Sequence, residues 1–373
     1  MEKIKILAVQ DPAVNVYVDP NYDILKNFPE KDIEVEFNIV PWDKYFDTMI
    51  RSFQGEADYD IVMVAGHLWL KDFVEKDYLA EIEYDFEDIL PVIANEMTLE
   101  GKTYLSPSFC DGHMIAFRKS ILKEVLGKLP NQIINTDEFI QIAQELHKAG
   151  YKTPIALKAS PSEILLDALP YLRSTGKDIY SIEDGNVKCN ISEMKNELEK
   201  YVSLKTLSPD DTHNYGNDEI KKVLSNKEVI MATTWSGQLG VVMKDCIEKE
   251  DVGFMTFDSA WNVTWSFAVN KMSNKKAQCE KFLAYLRSKE VDKLAGEYCG
   301  APVRKSNYTL GMDQFPWYEV QLKMIEQYAK PFESISKSGE KNAVLYDGIY
   351  SVFTGKEEIS VAIKDAQNKI DSI

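Results

Sequence analysis

The first hundred residues alternate short apolar runs with amphipathic ones. Ile4–Val9 is a compact apolar run ending at Gln10-Asp11-Pro12, which predicts a buried strand and then a turn. In Ile33–Val40 the apolar Val35, Phe37 and Ile39 fall at every second position, the period of a strand buried on one face. Pro41-Trp42-Asp43 then turns into a helix carrying Tyr45, Phe46, Met49, Ile50 and Phe53, stopped near Gly55. Asp60–Ala65 reads as a second buried strand, and Gly66-His67-Leu68-Trp69 leads into another helix. Strands alternating with helices predict right-handed βαβ units and a mostly parallel sheet, an α/β fold. Ligands bind beyond the carboxyl ends of such strands. The loops Gln10–Asn15, Pro41–Asp43 and Ala65–Trp69 are therefore expected on one rim.

A second lobe is expected after Asp111. Asn135-Thr136-Asp137-Glu138 has the pattern of a capping box opening the helix Phe139–Ala149, with Gly150 placed to end it. Further helices are predicted around Ser162–Ser174, Ser192–Leu204 and Asp218–Asn226. A strand at Glu228–Ala232 is followed by a turn over Thr233–Gly237, an extended stretch over Val252–Asn270 and a helix over Ala277–Lys289. From Trp317 onward the pattern is largely helical. No flexible linker separates the lobes, so the chain is expected to cross between them more than once.

Composition narrows the function classes. The chain has 373 residues, against the ~100–200 of a usual domain, and 45% of them are hydrophobic, enough to fill two cores. The net charge of −17 repels phosphate backbones and anionic membranes, so nucleic acid is a poor partner and a neutral or weakly charged small molecule suits the surface better. Cys110, Cys189, Cys246, Cys279 and Cys299 are scattered without a C-x-x-C pair and read as buried thiols; the four histidines form no H-x-x-x-H pattern, so no metal or other cofactor is expected. No apolar run reaches the ~18 residues of a membrane span. The start lacks a signal peptide's apolar core. Taken alone that reads as cytoplasmic, and a removed signal is the alternative.

Six segments, in order along the chain, resemble the family 1 extracellular solute-binding proteins of ABC importers. They are Tyr59–Val64 with Phe73–Ile82, Met114–Leu122, Thr136–Gly150, Phe267–Lys271 with Lys281–Leu286, Gly300–Ser306, and Thr354–Lys356 with Val361–Gln367. The resemblance implies a two-lobed, periplasmic-binding-protein-like (type II) α/β fold, with hinge crossings and an interlobe cleft. By it, one lobe comprises residues 1–111 plus 258–310 and the other 112–257 plus 311–373. It also implies capture of a carbohydrate and delivery to ABC permease subunits by a protein that is not an enzyme. An extracytoplasmic location follows, in the periplasm or as a cell-surface lipoprotein, with the signal peptide removed. A monomer is expected, because closure needs free lobes.

Sugars offer hydroxyls to polar groups and flat C–H faces to aromatic rings, so a sugar site should carry tryptophans and carboxylates on rim loops. Trp42 and Asp43 follow one strand directly, and the resemblance puts their loop at the cleft; packing of Trp42 on its own helix is the competing role. His67 and Trp69 follow the next strand. The family's maltose binder has an acidic and a basic residue here where this chain reads Leu68-Trp69, which points to a stacking platform. Asp111 is placed by the resemblance as a ligand-binding carboxylate, with capping of a backbone amide as its competitor. Trp235 sits where the family often writes G-x-W, although Thr233-Thr234 replaces the glycine. Trp261 and Trp265 share a face if their stretch is extended, so one is expected in the core, and Trp261 is taken as the exposed member. Arg304 matches the arginine of the family's P-V-R-K, reaching the cleft or forming a structural salt bridge. Asp11 and Asn15 are candidates of the same kind, whereas Trp317 reads as packing.

A carbohydrate-active enzyme would need two carboxylates ~5–9.5 Å apart across a bond. No carboxylate motif recurs, and no G-x-S-x-G, P-loop or zincin pattern is present. A receptor serving a sensor kinase would use the same fold. The tryptophan-rich rims favour a neutral oligosaccharide over an inorganic ion or an amino acid.

Overall fold

The structure, a computed structural model, describes residues 2–184, 186–332 and 334–373. In chain order the elements that matter are β1 (Glu2–Val9), β2 (Ile33–Val40), α1 (Trp42–Phe53), β3 (Ile61–Ala65), α2 (Gly66–Glu75) and β4 (Ser106–Arg118). They continue with β5 (Ile133–Ile134), α3 (Thr136–Lys148), β6 (Ile155–Ala156), α4 (Ile164–Leu172), α5 (Lys195–Ser203) and β7 (Met231–Trp235). Last come β8 (Val252–Phe257), β9 (Asn262–Val269), α6 (Lys276–Leu286), α7 (Lys289–Cys299) and α8 (Lys305–Gly311).

The chain forms two compact units, one of residues up to Asp111 plus Val263–Phe315, the other Gly112–Asn262 plus Pro316–Ile373. It passes from one to the other at Asp111/Gly112, Asn262/Val263 and Phe315/Pro316. The later two junctions lie slightly beyond the expected Phe257/Asp258 and Leu310/Gly311.

In the first unit the strands run β2-β1-β3-β9. β1 pairs in parallel with β2 from Glu2↔Ile33 to Val9↔Val40, and with β3 at Ile6↔Ile61 and Leu7↔Val62. β9 runs antiparallel to β3, with Trp265 opposite Ala65. Every residue of the central β3 is buried, which is why Ile61–Ala65 is an unbroken apolar run, whereas Val35, Phe37 and Ile39 of edge strand β2 are only half-buried. α1 stops as expected, with Gly55 following at φ +80°, a conformation that costs glycine nothing. α2, in contrast, leaves β3 with no intervening loop, so His67 and Trp69 stand on its first turn instead of in the expected loop.

The second unit is built on β6-β7-β4-β8-β5. β6 and β7 are parallel, β7 and β8 flank β4 antiparallel, and β5 lies parallel to β8. Asn135 caps α3 through a capping box in which its side chain accepts from the Glu138 N–H and Glu138 accepts from the Asn135 N–H; Gly150 follows at φ +105°. β7 continues through Thr233 and Thr234 to Trp235, displacing the expected turn to Ser236–Gln238. The stretch expected to be extended over Val252–Asn270 divides into β8 and β9, and the junction at Asn262/Val263 falls inside it.

Candidate functional site

In the first unit three parallel strands end on one edge, and each delivers candidate residues there. Asp11, beyond β1, is half-buried and caps the turn Pro12–Tyr17, its Oδ1 accepting from the Ala13 N–H at 2.8 Å. Asn15 is exposed on that turn, and its carbonyl takes the N–H groups of Val18 and Asp19. Beyond β2, Trp42 and Asp43 open α1, where the helix N-terminus favours an acidic side chain, and Asp43 is exposed. Beyond β3 come His67 and Trp69. Burial pushes the His67 imidazole down to about 3, so it is neutral at physiological pH.

These strand ends carry an aromatic array. The Trp42 ring stacks on Trp69 with centroids 6.0 Å apart and planes 26° apart. Trp265 meets both edge-on, at 6.1 Å and 6.4 Å. Phe46 tilts over Trp69 at 5.6 Å, and Trp69 rests on Phe73 at 6.1 Å. Burial is graded through the array: Trp69 is 7% exposed, while Trp42 and Phe46 are 47% and 44% exposed. The inner rings are core, and the outer ones present flat apolar faces to solvent.

Asp111 lies buried within β4, whose every residue is buried. The Cys299 thiol is raised by burial, and the carboxylates of Asp111, Asp11 and Asp292 add to that shift. Arg304 takes the structural alternative. Its Nε and Nη2 donate to the Arg287 carbonyl at 3.2 and 2.6 Å, and Nη1 donates to the Glu87 carbonyl at 3.0 Å. The planar fork is committed to backbone oxygens, with Asp88 3.9 Å away, so Arg304 is a clamp on the loop before α8.

The second unit repeats the principle with different chemistry. The carboxyl ends of β6, β7 and β8 and the middle of β4 bring Lys158, Trp235, Phe257 and His113 together. Trp235 is buried; its Nε1 donates to Glu163 Oε2 at 2.7 Å, and the Lys158 ammonium lies over its ring 4.1 Å from the centroid. Lys158 and Glu163 are 3.7 Å apart. Trp261 meets Trp235 edge-on at 4.9 Å and donates from Nε1 to the Leu166 carbonyl at 2.7 Å. Trp261 is fully buried and Trp265 half-buried, the reverse of the expected order, because Trp261 precedes β9 and is drawn into the core of the second unit. Lys158, Glu163 and His113 carry no local motif; sheet register brings Lys158 and His113 to Trp235 while Glu163 reaches it from the residue before α4, so sequence reasoning missed them. Among the described residues no cluster of three or more metal-ligating side chains occurs, all five cysteines are free thiols, and no helix is long and apolar enough to cross a membrane.

Over residues 20–293 the sequence matches the model of the bacterial extracellular solute-binding proteins. The chain belongs to this family. Membership implies an extracytoplasmic protein. Three solved structures resemble it over its whole length. The maltose-bound T. maritima MalE3 is 21% identical with a TM-score of 0.86, each chain covered in full. An ABC transporter solute-binding protein from Agrobacterium radiobacter K84, in complex with ribitol, is 19% identical with a TM-score of 0.85 and 98% of its chain covered. One from Agrobacterium vitis S4, with bound D-mannitol, is 19% identical with a TM-score of 0.83 and 98% of its chain covered. At these identities the likeness is one of fold, and that fold is the α/β, type II periplasmic-binding-protein-like one.

Proposed function

We propose that this chain is the substrate-binding protein of an ABC importer, capturing a carbohydrate, in particular an oligosaccharide, and delivering it to a membrane permease without turning it over. The observation that carries this reading is the half-exposed Trp42 ring, backed by the buried Trp69 at the carboxyl ends of three parallel strands. A rigid flat ring at that position offers a sugar's C–H face a large contact at little entropic cost. Asp11, Asp43 and Asp111 supply acceptors for hydroxyls on the same unit, and neutral His67 adds no charge to compete with them. In the second unit, Glu163 and Lys158 set an acceptor and a donor beside Trp235. The saccharide and polyols bound to proteins of the same fold, namely maltose, ribitol and D-mannitol, agree with this ligand class. The protein then works at the outer face of the membrane, anchored by lipid or free in the periplasm.

A thermal-shift screen of mono-, di- and oligosaccharides with polyols tests the reading. A ligand that binds only the native state raises the melting point as RT ln(1+[L]/Kd). A saccharide that raises it and is recovered intact supports capture. A saccharide that is consumed contradicts it in favour of an enzyme, and a panel without any shift removes the carbohydrate assignment.

A further inference from the structure

Behind the rim of the second unit lies a buried hydrogen-bonded set that sugar capture itself does not use. His113, Asp167 and Tyr201 are each completely buried. His113 Nε2 lies 3.2 Å from Asp167 Oδ1, and the other carboxylate oxygen accepts from the Tyr201 hydroxyl at 2.9 Å. His113 Nδ1 meets no hydrogen-bond partner among the described residues. A carboxylate needs an N–H facing it, and a proton on Nδ1 would be a buried donor without an acceptor, so the geometry puts the N–H on Nε2, facing Asp167.

The ring so fixed forms one wall around Trp235. His113 and Trp235 are register partners on β4 and β7, so their side chains share a face of the sheet. Their ring centroids are 5.5 Å apart, with Phe257 at 5.2 Å and Trp261 at 6.2 Å from the imidazole. Glu163 holds only the N–H end of the indole. Lys158 lies over the indole face and Trp261 meets it edge-on, and the imidazole pinned by Asp167 adds a fixed wall on the sheet face that His113 and Trp235 share.

We infer that His113, fixed by Asp167 and Tyr201, is a positioning residue that sets the orientation of the Trp235 indole. Its functional meaning rests on Trp235 belonging to the proposed capture site, but the orientation is readable without any sugar. The test is fluorine NMR of the whole chain labelled with 5-fluorotryptophan. Trp235→Phe and Trp317→Phe assign the two relevant lines, and the Trp317 line reports that the unit is folded. His113→Phe and Asp167→Asn should displace the Trp235 line by more than its width and leave the Trp317 line in place. His113→Gln, which keeps an N–H directed at Asp167, should return the Trp235 line to its wild-type position. A Trp235 line unmoved in folded His113→Phe and Asp167→Asn overturns the inference. Where those variants do not fold, the nitrogen spectrum of the wild-type histidines decides: a His113 ring protonated at Nε2 and bare at Nδ1 is expected, and the opposite tautomer overturns it. A sugar panel without hits leaves these spectra unchanged, so failure of the capture reading and failure of this one are distinguishable.

Discussion

Trp42 and Trp69 form a stacked pair in which one ring is 47% exposed and the other 7%, although both follow the carboxyl ends of parallel strands, β2 and β3, that flank β1. The difference comes from where each helix begins. α1 starts at Trp42 itself, at the outer edge of the sheet, while α2 starts at Gly66 and carries Trp69 back over the core. One ring is thus scaffold and the other is surface.

The two tryptophans should therefore separate stability from binding. Trp69→Ala removes a buried ring and is expected to cost about 3–5 kcal/mol in urea unfolding. Trp42→Ala loses only edge and stacking contacts, about 0.5–1.5 kcal/mol, yet should abolish most of the affinity for any saccharide found in the screen. Equal losses of stability in the two variants would contradict the division.

Arg304 should behave as a clamp. Arg304→Ala leaves the Arg287 and Glu87 carbonyls without their charged donor and is expected to lower stability by about 1.5–3 kcal/mol. Arg304→Lys should recover little of this, because one ammonium cannot reproduce a fork aimed at two carbonyls. Sugar affinity measured by calorimetry should stay at the wild-type value in both.

Much of the first unit is legible in the sequence because its signals are local. The apolar run Ile61–Ala65, the two-residue period of Val35, Phe37 and Ile39, and Asn135 with Glu138 in the second unit each act within a few residues. The candidate site is less legible, because it is assembled through sheet register. His113 meets Trp235 only because β4 and β7 pair, and Lys158 reaches the same ring only because β6 lies alongside β7. Arg304 has the same side chain in either role, and only the carbonyls it meets decide between them. Trp261 and Trp265 are close in sequence but fall on opposite sides of a junction between units, which no periodicity reveals.

Two titratable groups of the first unit, the buried Asp292 and the half-buried His67, should oppose each other in acid. Burial pushes the Asp292 carboxyl up from 3.8 to about 6, against hydrogen bonds from the Val303 and Arg304 N–H groups and the Asn307 amide. Between those values the native state binds more protons than the unfolded chain, so this group's contribution is lost as pH rises through about 6. His67 has the opposite sign. Its imidazole is held down from 6.5 to about 3, so the unfolded chain binds more protons in that window and stability falls as pH drops below 6.5. Asp292→Asn should steepen the acid loss and His67→Phe should flatten it, measured by urea unfolding at several pH values. Parallel slopes in both variants and the wild type would refute the assignment.

The capping box at the start of α3 gives a smaller, independent prediction. Asn135→Ala leaves the Glu138 N–H without its acceptor and should lower stability by about 1 kcal/mol. Asn135→Asp should be neutral within a few tenths, since aspartate caps as well as asparagine. Chemical unfolding of the three proteins side by side checks both.

The central claim, capture of a carbohydrate at the tryptophan rim, is tested most directly by titration calorimetry of the wild-type chain and Trp42→Ala with a panel of neutral oligosaccharides. The expected result is saturable binding of at least one saccharide, one per chain, with the sugar recovered intact and the affinity of the variant lower by about tenfold or more, a loss of about 1.4 kcal/mol. Binding that is equally tight in Trp42→Ala, or no binding by any member of the panel, would contradict it.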